Sequence, residues 1–394
     1  MATNPNLLIT GVGVLAPNGK GKEEFWASCI AGRSGIKPIT LFDTGNYVSN
    51  WGGEIRDLVA ARYLGDKGLR NLDRTTVLAL VSAKMAIDDA DVQISTENAD
   101  SIGVVLGSTT GSVHSISSFD IEGLSSGPRY VNPAKFPNTV INSPASQIGI
   151  RFGITGLNST IGTGFTAGLN ALEYSVDMLN LGRVHTMLVG GVEELCPETY
   201  SAFQELASVP FGRKHGGRNG SSHANGHGVL VGEGAGILIL ENDMTAKVRG
   251  AQPYAELLSV VSAFAGDSTG RLRTDESKAG QVIHDALDLA SIRPRAINCV
   301  SIGGCTYPLE RSKSDFEGRV LKEVLGEVAN RTDSVAIRPL CGETFSASGI
   351  LQVIASLGFN RRKEDSIRLI VSLSPIGSCA AAVLRVFGVD DASS

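Results

Sequence analysis

The chain has 394 residues, 42% of them hydrophobic and 19% charged, with a formal net charge of −5. Such a length buries a large core, and the composition excludes a fibrous or disordered protein. Scattered basic residues argue against nucleic acid, and no apolar run approaches the ~18 residues that a membrane span needs.

Residues 1–6 hold no basic stretch ahead of the apolar Leu7-Leu-Ile, so no signal peptide is expected and a cytoplasmic location is. Residues 7–19 open as a buried strand broken by glycines. Gly11 and Gly13 hint at a dinucleotide fingerprint, but no third glycine follows at the required spacing, and Pro17 interrupts the helix. Residues 23–30 read as a helix, and 33–68 as mixed structure with loop signals at Asp43-Thr-Gly and Gly52-Gly. Residues 71–89 predict a long, largely buried helix, with Val77, Leu80, Val81 and Met85 on one face and Leu78 and alanines widening it. A buried strand at 101–107 precedes a polar, glycine-rich segment that holds a helix from Val113 to about Leu124. Residues 138–152 predict a further helix, in which Pro144 permits a break.

The stretch from Asn158 to Ser175 organises the rest. Gly162-Thr-Gly-Phe165 reads as a tight turn, after which Phe165, Leu169, Leu172, Val176 and Leu179 fall at helical spacing. A strand-like run, Thr186-Met-Leu-Val-Gly190, follows. A helix N-terminus presents unpaired N–H groups and a positive dipole end, a seat for a thiolate. Here a phenylalanine sits in it.

From Ser208 to Gly228 the apolar pattern is lost. His215, His223 and His227 lie there without carboxylate or cysteine partners at ligand spacing, which reads as a solvated loop rather than a metal site. Residues 229–241 predict two buried strands around a glycine turn. The six cysteines form no C-x-x-C pair and read as reduced, mostly buried thiols. No metal or other cofactor is expected.

The central stretch has an echo. Phe165-Thr-Ala-Gly-Leu-Asn-Ala-Leu corresponds to Phe345-Ser-Ala-Ser-Gly-Ile-Leu-Gln, each opening a helix that leads to an apolar strand. Upstream, Ser101-Ile-Gly-Val-Val-Leu-Gly echoes Cys299-Val-Ser-Ile-Gly-Gly-Cys. The pattern predicts an α/β chain of two copied halves, 1–250 and 251–394, with parallel sheets covered on both faces. Their helix N-termini would meet around a shared centre.

These residues carry a family resemblance over nearly the whole chain. Ile9-Thr-Gly-Val-Gly-Val-Leu-Ala-Pro-Asn-Gly, Phe136-Pro-Asn-Thr-Val-Ile-Asn, Gly156-Leu-Asn-Ser-Thr-Ile-Gly-Thr-Gly, Val189-Gly-Gly-Val-Glu193, Gly232-Glu-Gly-Ala-Gly and Cys341-Gly-Glu, in this order, resemble the β-ketoacyl synthases. The resemblance implies a thiolase-like fold, duplicated in five α-β-α-β-α layers. Active members use a cysteine nucleophile at the helix start and two histidines that assist decarboxylation of a malonyl unit. In this chain those positions fall on Phe165, Gly303 and Glu343, and the accompanying lysine falls on Arg338. Phenylalanine has no nucleophilic atom, Gly303 offers no side-chain donor, and an ionised Glu343 would repel an oxyanion. No catalytic residue is therefore expected.

Within the family the sequence is similar to the chain-length factors of type II polyketide synthases, through Gly32-Arg-Ser-Gly, Phe42-Asp and the spacing from Val104 to Gly127-Pro128. That resemblance implies a noncatalytic subunit that pairs with an active ketosynthase, works on chains held by the phosphopantetheine of an acyl carrier protein, and closes the far end of the acyl tunnel. It places the tunnel gate near Val113, Ile116, Phe119 or Asp120, with Phe136 a further candidate. The small Val113 and Ile116 predict a roomy tunnel, and Phe165 reads as a filler of the old nucleophile pocket. The rival reading is a divergent acyltransferase or decarboxylase that uses Cys305, Cys341 or Glu343, with Cys379 also near the corresponding loops. A free homodimeric binding protein is a third.

Overall fold

The computed structural model describes residues 6–47, 49–208, 230–266, 274–304, 316–374 and 376–388, with backbone only for 204–208. Ten main strands carry the fold: β1 (Leu7–Ala16), β2 (Ile102–Gly107), β3 (Asn158–Ile161), β4 (Thr186–Glu193), β5 (Gly234–Asn242), β6 (Ala255–Phe264), β7 (Ile297–Ile302), β8 (Asp333–Ala336), β9 (Ser366–Leu373) and β10 (Ser378–Val386). They hydrogen-bond in the order β8-β7-β9-β10-β6-β1-β5-β4-β2-β3, and the short strand Gly19–Lys20 pairs with β1. Read outward from the middle, the first half runs 1-5-4-2-3 and the second 6-10-9-7-8, the same path taken twice. The sheet is mixed rather than parallel. β2, β3 and β4 are parallel to one another, as are β7, β8 and β9, but β5 and β10 return antiparallel and β1 meets β6 antiparallel at the seam.

The helices are α1 (Lys22–Ile30), α2 (Arg74–Ala90), α3 (Val113–Ser126), α4 (Ser143–Phe152), α5 (Ala167–Asn180), α6 (Pro197–Ser208), α7 (Glu276–Leu289), α8 (Phe316–Leu325) and α9 (Ser346–Gly358). α5 and α9 touch each other and strands of both halves, so they form the middle layer. α2 and α4 cover the outer face of one half, and α7 and α8 that of the other. Three apolar clusters fill the spaces between layers: Leu169, Leu172, Ile350 and Ile354 around the middle layer, Leu78, Val104 and Ile237 under one outer layer, Ile283, Val320 and Leu369 under the other. Five layers result.

Local differences from the sequence reading have physical causes. Gly11 and Gly13 serve packing, since a Cβ at either would strike the backbone of α2 at Ala86 or Ser82. α2 turns Leu78 fully inward and leaves Val77 and Met85 half-buried. The helix expected over 138–152 is a 3-10 turn, Pro133–Thr139, followed by α4, whose first turn takes Pro144 where its missing N–H costs nothing. Residues 230–242 hold one strand, β5, rather than two, because Val231 ahead of it makes only an isolated bridge, to Glu343 in the other half. The loop expected over 208–228, with its three histidines, falls almost wholly outside the described residues.

Candidate functional site

Phe165 lies just before α5, whose N-cap is Thr166. Phe345 is the N-cap of α9, so the echo seen in sequence becomes a contact. The two rings lie 5.4 Å apart between centroids, and Phe203 from α6 packs on both, at 6.2 Å from Phe165 and 4.8 Å from Phe345. Ile39, Leu195, Tyr200 and Val231 close the cluster around them. Phe165 is 7% exposed and Phe345 1%. Tilted and edge-on rings at these separations suit the aromatic quadrupole. Where two helix N-termini converge, three phenylalanine rings fill the space.

Phe345 holds an unusual backbone, with φ +47° and ψ −118°. A bulky residue in that region stores strain of order 1–3 kcal/mol and stays there only when its surroundings over-determine it. The determinants are visible. Its N–H donates to Glu343 Oε1 at 2.7 Å, and Glu343 Oε2 accepts from Arg338 Nε at 2.6 Å. Arg338 Nη1 reaches Glu317 Oε1 at 3.1 Å, Nη2 donates to the Leu373 carbonyl at 3.2 Å, and Glu317 Oε2 accepts from the Gly304 N–H at 2.6 Å. All three charged residues are at least 97% buried. Glu343 is therefore not a loose anion: the guanidinium between it and Glu317 neutralises it. Burial raises the Glu317 pKa, and Arg338 works against that rise.

Gly303 completes the arrangement. A Cβ there would lie 2.7 Å from Glu317 Oε1 and closer still to the Arg338 guanidinium. The space of a side chain at 303 is occupied by Arg338, so no residue but glycine fits without moving the ion cluster. The three positions singled out in sequence thus meet in one place, and each is committed to structure.

Sequence reasoning missed Glu317, which marks no motif, and gave no role to Glu193 or Thr109. Glu193 is fully buried at the end of β4. It accepts from the Thr109 N–H, from Ser108 Oγ at 3.2 Å, Thr110 Oγ1 at 2.8 Å and Ser346 Oγ at 2.8 Å. Thr109 Oγ1 donates to the Gly164 carbonyl and accepts from the Ser346 N–H, both at 3.1 Å. One carboxylate and one threonine therefore clamp the starts of both middle helices. The available signal was a glutamate ending an otherwise apolar strand.

The candidate substitute nucleophiles are poorly placed. Cys341 is fully buried, its thiol held to Asn18 Oδ1 at 3.1 Å and its pKa driven well upward by burial. Burial pushes Cys379 up to about 12. Cys305 lies outside the described residues.

The gate candidates sit elsewhere. α3 has no buried residue: Val113 and Phe119 are half-buried, Ile116 is 37% exposed and Asp120 is exposed. The Phe119 ring packs at 6.0 Å on Phe136, itself 58% exposed. Ile121, Leu124, Tyr130, Val140 and Ile141 are also exposed, and β3 beside them is an edge strand. α3 is held to the body by polar contacts: His114 N–H to Glu194 Oε1 at 3.4 Å, His114 Nδ1 to Glu198 at 3.1 Å and Ser115 Oγ to Asp73 at 3.3 Å. Among the described residues no cluster of histidine, cysteine and carboxylates is placed to hold a metal, and no helix is long and apolar enough to cross a membrane.

Two copied halves with paired middle helices, in five layers, define a thiolase-like fold of the ketosynthase type. Residues 5–246 match the model of the β-ketoacyl synthase N-terminal domain and residues 254–361 that of the C-terminal domain. The chain belongs to the β-ketoacyl synthase family. It is 28% identical over 355 residues to 3-oxoacyl-acyl-carrier-protein synthase 2 of Coxiella burnetii, covering 89% of this chain and 84% of that protein. In fold it is similar to the ishigamide ketosynthase/chain length factor (TM-score 0.83, 24% identity, 98% of this chain and 100% of that one). It is also similar to a type II polyketide synthase ketosynthase in complex with its acyl-carrier protein (TM-score 0.82, 23% identity, 98% and 100%).

Proposed function

We propose that this chain is a noncatalytic, chain-length-determining subunit. It pairs with an active ketosynthase that elongates acyl-carrier-bound chains from malonyl units, and its own contribution is the shape of the tunnel end. The observation that carries this reading is the filled site: three phenylalanines occupy the nucleophile's surroundings, and a buried Glu317–Arg338–Glu343 cluster occupies the histidines'. The synthases among its relatives are named for catalysis, and the positions that the resemblance assigns to the nucleophile and the two histidines hold Phe165, Gly303 and Glu343 here.

The partner is supported by the exposed apolar side chains of α3 and residues 130–141 beside the free edge of β3. An apolar face of this kind marks an interaction surface, and an open strand edge offers unpaired N–H and C=O groups. The tunnel residues are then Val113, Ile116, Phe119, Asp120 and Phe136 on that face, where the partner's acyl chain would end.

Two measurements test this. The isolated chain, incubated with an acyl-carrier thioester and examined by intact mass, stays unmodified; a stable acyl adduct would restore the acyltransferase reading. Co-expressed with a ketosynthase, it co-purifies as a heterodimer, and Val113→Phe or Ile116→Phe shortens the product. Unchanged products from both variants would remove the chain-length role.

A further inference from the structure

At the opposite end of β7 from Gly303, roughly 20 Å away at ~3.3 Å per residue, a cavity of about 350 Å³ opens where three connections meet. Arg295 comes from the approach to β7, Arg331 from the approach to β8, and Arg362 from the α9–β9 connection; Asn298, Thr332 and Glu327 also line it. Three guanidinium groups thus meet two carboxylates, Glu327 in the lining and Asp333 beside Arg362, in a chain whose net charge is −5. Arg295 and Arg331 are exposed and make no side-chain hydrogen bond or ion pair among the described residues. Arg362 has only a long pairing with Asp333, at 3.5 Å, and Asp333 is shared with Asn360.

A further cation, Arg368, lies outside the cavity lining but near Cys299, and Arg362 is near Cys299 too. Arg368 on β9 is fully buried. Its Nη2 donates to the Asn360 carbonyl at 3.3 Å, while Nε and Nη1 have no hydrogen-bond partner. It lies level with Cys299 in the ladder, and Cys299 pairs across with Asp333. Neighbouring Arg361 has its pKa lowered by burial and by the charge of Arg368, while Tyr254 opposes the fall. Arg295 and Arg331 are the two lining cations left without a protein anion among the described residues. Planar guanidinium forks match phosphate oxygens in pairs.

We propose that this cavity binds a small phosphate-bearing anion, of the pyrophosphate or nucleoside diphosphate class, between Arg295, Arg331 and Arg362. The site is separate from the filled one and does not depend on the chain-length reading.

The test is calorimetric titration of the full chain at low salt with inorganic phosphate, pyrophosphate and a nucleoside diphosphate. One saturable site is expected, with pyrophosphate tighter than phosphate. Tighter binding of the nucleoside diphosphate would show that the diphosphate is carried on a nucleoside. Arg295→Ala with Arg331→Ala, two exposed changes, weakens binding by about tenfold or more, while Arg62→Ala, at a remote exposed arginine, leaves it unchanged. Absence of saturable binding at ~10 mM ligand, far weaker than a charge-assisted site, would overturn the proposal. So would equal affinity in the double variant when its thermal melt matches the parent.

Discussion

The filled site and the α3 face are opposites built from similar side chains. Around Phe165 the rings are buried, the charges are paired and the backbone is held in a strained turn. Along α3 and residues 130–141, isoleucine, leucine, tyrosine and phenylalanine are exposed, and polar contacts from His114 and Ser115 help tie the helix down. In the first region the apolar side chains form core, and in the second they are left on the surface. Substitutions in the first region should therefore register as stability, and those in the second as binding.

Arg338→Ala is the sharpest way to break the first region. It strands Glu317 and Glu343 in the interior without their cation, and loss of one partner from a buried ion cluster costs about 3–5 kcal/mol. A urea unfolding midpoint well below the parent's is expected. Arg338→Met combined with Glu317→Gln and Glu343→Gln should recover most of that loss; if Arg338→Ala alone were neutral, the cluster would not be what holds the turn.

Phe165→Ala comes next. Truncating a buried phenylalanine leaves a cavity and costs about 3 kcal/mol, at the lower end because the site retains slight exposure. Product formation by the purified pair is expected to survive. Collapse of condensation with an unchanged fold would assign Phe165 a chemical role. Phe165→Cys alone should give no acyl adduct by intact mass, because Gly303 and Glu343 still lack the histidines and the Arg338 guanidinium fills the space of a side chain at 303.

How much of this was legible beforehand follows from which interactions are local. The helix starts at α5 and α9 and the strands β2 and β4 were readable, because periodicity and short motifs lie within a few residues. The contact between Phe165 and Phe345 was readable as a duplication, though its closeness was not. Glu317 and Arg338 are 21 positions apart and meet only through the packing of α8 against the sheet. Strand direction was misjudged because β5 and β10 have the same apolar character as their parallel neighbours. The exposed face of α3 escaped notice for the converse reason: its apolar residues follow a helical pattern that normally means burial, and among the described residues Ile116, Ile121 and Leu124 stay exposed.

Glu194 links the two regions, since it is buried beside the core yet accepts from α3 at the His114 N–H. Burial, with Asp73 and Glu233 nearby, raises its pKa from 4.5 to about 8, and the hydrogen bond from the His114 N–H holds it lower than burial alone would; Arg74 is the facing cation. The unfolded chain ionises this group near 4.5 and the folded one only near 8. Stability from this group is therefore intact below about pH 4.5, is lost progressively as pH rises to about 8, and is flat beyond. Unfolding midpoints from pH 5 to 9 should fall less steeply in Glu194→Gln than in the parent. Parallel slopes would mean that Glu194 does not couple α3 to the core.

The smallest effect on the fold is expected at the other pole of the comparison. Ile116→Asp and Phe136→Asp replace exposed side chains, so each should shift stability by no more than about 0.5 kcal/mol. If that face is a partner's seat, the same changes bury an unpaired charge in the complex and should weaken association by tenfold or more, about 1.4 kcal/mol. Gel filtration and pull-down with the ketosynthase read the two quantities separately. A variant that folds and binds like the parent would show that apolar exposure on α3 is not an interface, and the comparison would then lose one of its two terms.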